Sequence, residues 1–234
     1  MSDLPSPPGW HGKLPSLGDF ASRRLDAGFV EAWDHWLAAG LLGLRESNPA
    51  GWLDAYLESP SWRFLLMPGV LPGDAGRQAW AGVLMPSVDR VGRYFPLSIV
   101  QPLGELPAST QQMQALWHWL GRLDELAGDA LHDDWSVDQL EGELARMSGP
   151  GLQEQRPAGG SAPLAGGALV ELALPPGMDA ALCIGTEAQA LWRDKAAGLA
   201  YWFASTELVA QRLLVSRGLP AAIGALLGAT IQAP

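Results

Sequence analysis

The chain has 234 residues, 48% hydrophobic and 17% charged, a balance that supports a packed core and excludes a disordered chain. Its formal net charge of −10 argues against a phosphate-backbone binder, which needs a basic patch to displace condensed counterions. The single cysteine, Cys183, can form no internal disulfide and no thiolate metal cage, so it reads as a core residue.

Residues Met1 to Pro8 hold three prolines and no apolar period, and read as a mobile lead-in without the basic and apolar regions of a secretory signal. Trp10 to Leu14 reads as a short strand stopped by Pro15. Ser16 to Asp19 follows as a turn in which exposed Lys13 and Asp19 fix the bend or contact a partner. The string Gly12-Lys13-Leu14-Pro15-Ser16 is not a phosphate-binding loop, because Lys13 is followed by Leu14 and only two residues separate Gly9 from Gly12. Phe29, Trp33, Trp36, Leu37, Gly40, Leu41 and Leu44 recur at three- and four-residue steps, which predicts a helix with an aromatic core face. A shorter helix is expected at Trp52 to Leu57, then an inner strand from Trp62 to Met67. Arg63 in that strand either points to water or anchors a carboxylate such as Asp89.

After a loop at Leu71 to Gln78, the run Trp80 to Leu103 predicts a β-hairpin. Val83, Leu84 and Met85 lie on one arm, Phe95, Leu97, Ile99 and Val100 on the other, and a charged tip from Ser87 to Arg93 stands in water. Asp89, Arg90 and Arg93 have two readings there. Two guanidinium forks beside a glycine turn can grip an anion or a partner; alternatively Asp89 pairs with Arg93 or Arg63 and holds the turn.

Met113, Leu116, Trp117, Leu120, Leu123 and Leu126 trace a helical face between Ser109 and Leu131. Trp135 to Met147 adds a helix capped by a Ser136 and Gln139 capping box. Ser148 to Gly167 has six glycines, three prolines and two serines, the composition of a flexible surface loop. Strands are expected at Leu169 to Leu174, Ala181 to Ile184, Ala190 to Trp192 and Ala200 to Ala204. A last helix, started by Ser205 or Thr206 and carrying Leu208, Leu213 and Val215, is expected to end at Gly218.

Together these elements predict an α/β fold, a mixed, largely antiparallel central sheet sandwiched between helical layers in a three-layer α-β-α arrangement. It forms a single domain over 9–234 with a loop at 148–167. No nucleophile elbow, zinc helix, paired-cysteine, calcium-loop, kinase or dinucleotide signature occurs, and His11, His35, His118 and His132 are dispersed. The residues therefore point to a non-catalytic protein with no cofactor and no metal. Runs such as Ala221 to Ala233 are too short and glycine-rich to span a bilayer, so direct membrane insertion is not expected and the cytoplasm is the expected compartment. The oligomeric state is left open.

Two blocks, GWHGKLPSLGDFASRR from Gly9 to Arg24 and PSVDRVGRYFPL from Pro86 to Leu97, with the aromatic run FVEAWDHWLAAGL from Phe29 to Leu41, resemble the TagF (ImpM) family of bacterial type VI secretion accessory proteins. Beyond about Leu103 the resemblance thins to fragments, and the family's Trp-Trp-Thr-like string reads Leu191-Trp192-Arg193 here. The resemblance implies a cytoplasmic factor that restrains secretion post-translationally by binding a forkhead-associated scaffold protein. Lys13, Ser16, Asp19, Arg24, Asp89, Arg90 and Arg93 form the expected partner-binding set. The alternatives are a phosphopeptide- or anion-binding adaptor of the secretion complex, or an enzyme assembled from distant residues. An adaptor that reads phosphopeptides would bring Arg90, Arg93 and Arg63 or Arg24 to one concavity.

Overall fold

The computed structural model describes residues 6–107, 109–147, 149–152, 192–206 and 209–227. Most of the loop expected at 148–167, the strands expected at Leu169 to Leu174 and Ala181 to Ile184, and Cys183 lie outside the described residues.

The centre is a seven-stranded sheet with β1 (Gly9–Gly12), β2 (Ala21–Arg23), β3 (Trp62–Leu66), β4 (Ala79–Met85), β5 (Leu97–Leu103), β6 (Leu199–Thr206) and β7 (Val209–Arg217). Their order is β2-β1-β5-β4-β3-β6-β7, and among the described residues every pairing is antiparallel, so the sheet described is antiparallel rather than mixed. The expected hairpin is β4 and β5, in register from Ala79↔Leu103 to Met85↔Leu97.

Strand alternation sends the core to both faces. On one face Phe64, Leu66, Trp80, Leu84, Val100 and Trp202 pack against α1 (Ala27–Ser47), α2 (Trp52–Leu57) and the buried Ile223, Leu226 and Leu227 around a short last helix, α5 (Gly224–Leu227). On the other, Trp10, Leu65, Ala81, Val83, Leu97 and Ile99 pack against α3 (Thr110–His132) and α4 (Val137–Arg146). This is the α-β-α sandwich.

The helix starts follow their capping chemistry. Asp26 accepts the Phe29 N–H at 2.7 Å, and Phe29, Trp33, Leu37, Leu41 and Leu44 form the buried stripe of α1. Ser136 and Gln139 make the reciprocal box at the head of α4. The core face of α3 is rotated from the expected one. Leu116, Leu120 and Leu123 are buried with Ala127 and Ala130, while Met113, Trp117 and Leu126 are only partly covered.

Other expectations change. The segment expected as a final helix is strand β7. Its exposure alternates residue by residue from Gln211 to Arg217, and Leu213 and Val215, two apart, share the outer side. Residues 192–196 are helical, so Trp192 lies in a helix rather than a strand. Arg63 faces α3, where its Nε donates to Asp124 Oδ2 at 3.0 Å, rather than meeting Asp89.

Candidate functional site: two turns locked by a buried ion cluster

Gly12 ends β1 at φ +134, and a Cβ there would stand 2.1 Å from the Pro96 carbonyl oxygen. The bare backbone therefore lets the chain turn tightly over the β4-β5 hairpin. This close approach brings Lys13 to the hairpin tip. Contrary to the expectation of an exposed lysine, Lys13 is 3% exposed, and its Nζ donates to Asp89 Oδ2 at 2.7 Å.

Asp89 is also buried, so the tip is not wholly in water. Its carboxylate is the hub. Oδ1 accepts the backbone N–H groups of Val91 at 3.0 Å and Arg93 at 2.9 Å, and Oδ2 accepts Arg93 Nε at 2.7 Å as well as Lys13. Burial alone would raise this carboxyl, but the Lys13 ammonium, the two N–H groups and the Arg93 guanidinium hold it well below the usual carboxylate range. Arg93 also donates to the Gly18 carbonyl, and the Arg90 N–H donates to the Leu17 carbonyl at 2.9 Å. The two turns, 76 residues apart in sequence, are therefore bonded side by side.

A second layer lies underneath. The Ser87 hydroxyl donates to the Lys13 carbonyl at 2.7 Å. The Tyr56 hydroxyl donates to the Ser87 carbonyl at 2.9 Å and accepts the Ser87 N–H at 2.8 Å. Burial pushes the Tyr56 phenol up, outweighing the hydrogen bond to Ser87. The Lys13 ammonium sits 4.6 Å from the centre of the Phe20 ring. Tyr56 and Phe20 carry no motif signal; only the folded chain brings them here.

The expected site residues thus separate into four groups. Lys13, Asp89 and Arg93 form the cluster, with Arg93 half exposed. Asp19 and Arg90 present exposed faces beside it; the Asp19 carboxylate accepts the Phe20 N–H at 2.8 Å and lies 4.0 Å from Arg93 Nη2. Ser16 is tied to the α3-α4 connection through the Trp135 carbonyl at 2.6 Å. Arg24 belongs elsewhere: its guanidinium donates to the Pro8 carbonyl and to Glu141, which also accepts Trp10 Nε1 at 2.6 Å. Burial would raise the Glu141 carboxyl, but Arg24 and Trp10 hold it below its ordinary value. Arg24 and Arg63 are thus committed to Glu141 and Asp124 and do not join Arg90 and Arg93.

The cluster is electrostatically satisfied and offers no free nucleophile or base. What it builds is a rigid two-turn face that exposes Asp19, Phe20, Arg90, Val91 and the edge of Arg93. Among the described residues no group of three or more His, Cys, Asp or Glu side chains is placed to hold a metal ion, and no helix is long and apolar enough to cross a membrane.

No curated protein matches the chain. Among solved structures, the crystal structure of PA0076 from Pseudomonas aeruginosa PAO1 superposes with a TM-score of 0.75 at 32% identity, covering 97% of each chain. The family model for the TagF N-terminal domain, type VI secretion system-associated, matches residues 9–147, which include both turns. The chain belongs to the TagF family of proteins associated with type VI secretion.

Proposed function

We propose that this protein is a non-catalytic, cytoplasmic regulator of type VI secretion that restrains the apparatus post-translationally by binding its forkhead-associated scaffold component through the two-turn face. The observation that carries this reading is the buried Lys13-Asp89 pair with the half-exposed Arg93 bonded to it. It spends three charged side chains on holding two surface bends in one fixed relation. A preorganised face loses little conformational entropy on docking, which is what an interaction surface gains from such bracing. Occupying the scaffold would keep a phosphorylation-dependent partner or the membrane complex from engaging.

The test separates presentation from bracing. Arg90 is exposed and bonds through its backbone, so Arg90→Glu should leave the melting temperature unchanged while weakening scaffold binding, read by calorimetry, at least tenfold. Arg93→Glu should lower the melting temperature as well, because it breaks the pairing with Asp89. A wild-type protein that fails to bind the purified scaffold, or an Arg90→Glu variant that binds as well as wild type, sinks the direct form of the proposal.

A further inference from the structure

We propose that α1 is also the interface through which two copies of this chain pair, antiparallel about a two-fold axis. From Trp36 to Leu44 the helix carries no polar side chain. The core accounts for only part of that run: Leu37, Leu41 and Leu44 face inward, whereas Ala38, Ala39, Leu42 and Gly43 face water, with Leu42 56% exposed. A helix with water as its only outer neighbour carries polar residues on that side.

A groove of about 510 Å³ runs beside this surface. Asp34, Ala38, Leu42 and Arg45 of α1 form one wall, and Phe20 and Tyr94 stand on the other. Phe20 is 46% exposed, so both walls offer apolar surface.

The pattern along α1 identifies the occupant. Asp34, Ala38, Leu42 and Arg45, which all line the groove, are spaced four, four and three apart, the spacing of a helix-pairing seam, and Asp34 to Arg45 spans about 16 Å. When a second α1 is laid antiparallel, Asp34 of each copy faces Arg45 of the other, and the small Ala38 of each lies beside the exposed Leu42 of the other. One surface is then complementary to itself in charge and in size, the condition for an isologous interface. Both charged ends keep exposed surface for this. Arg45 lies over the Trp52 ring at 4.8 Å and has no carboxylate within 4.0 Å among the described residues. The Asp34 carboxylate, 46% exposed, contacts His11 at 3.2 Å. The inference does not rest on scaffold binding, although Phe20 belongs to both surfaces.

Sedimentation of the full chain over a concentration series provides the test. Wild type should pass from monomer to dimer, and Leu42→Glu should stay monomeric with unchanged circular dichroism and melting temperature. Arg45→Glu and Asp34→Arg, each alone, should weaken dimerisation about tenfold. An equimolar mixture of these two variants should form a heterodimer at wild-type strength, because both crossed contacts are then opposite in sign. A wild-type chain that remains monomeric throughout would assign the face to a different protein and overturn the proposal. So would a dimer indifferent to Leu42→Glu, or a mixture that does not recover.

Discussion

Lys13 and Asp89 make the tip sensitive to acid. The folded Asp89 carboxyl is held below its ordinary value, while in the unfolded chain it titrates near about 3.9. Its contribution to stability is therefore complete above about pH 4. It is lost as the pH falls below that, because the unfolded chain takes up a proton that the folded one resists. Melting temperature followed against pH should show this acid limb, and Asp89→Asn should flatten it. Lys13→Met leaves the carboxylate with Arg93 as its one cationic partner and should lower the melting temperature by roughly 10 °C, the scale for breaking a buried ion pair in a chain of this size. Tyr56→Phe removes the acceptor of the buried Ser87 N–H and one of the two donors to the Ser87 C=O, which keeps the Phe95 N–H, and should cost about 1–3 kcal/mol in urea unfolding. The charged residues of the site were legible in the sequence, but their burial was not. Charges beside glycine and proline suggest water, and only the close approach of Gly12 to Pro96 shows that Lys13 is sealed beneath the hairpin.

At the scale of elements, caps and apolar periods were readable wherever one element made its own signal. The stripe of α1, the box of α4 and the two arms of the hairpin all lie where their patterns place them. Ser136→Ala should cost about 1 kcal/mol and lower the melting temperature by about 2–4 °C, without touching the two-turn face. Gly82 carries a stronger constraint. A Cβ there would stand 2.3 Å from the Ile99 carbonyl oxygen inside the β4-β5 pairing, so Gly82→Val should yield little soluble protein on expression. Where the reading failed, the element depended on its pairing with another strand. Leu213 and Val215 fit a helix only while β6 is ignored; with the segment paired to β6 from Leu199↔Arg217 onward, both point to the outer side of a strand.

The whole molecule is held by contacts between its two ends. Trp36 Nε1 donates to the Pro220 carbonyl and Trp62 Nε1 to the Leu226 carbonyl, both at 2.8 Å, while Ile223, Leu226 and Leu227 are buried against the α1 face of the sheet. Ending the chain at Gly218 should therefore expose the aromatic core, seen as increased binding of a hydrophobic dye and a broadened thermal transition. The family match spans residues 9–147, yet β6, which follows it, pairs with β3 along Arg63↔Phe203 to Leu66↔Ala200 and delivers Trp202 to the core. During synthesis β3 leaves the ribosome more than a hundred residues before β6. At about 5–20 residues per second, its unsatisfied flank waits on the order of ten seconds for its complement. That delay makes the nascent chain a natural client for a holding chaperone, and a fragment stopped at the family boundary would never leave that vulnerable state.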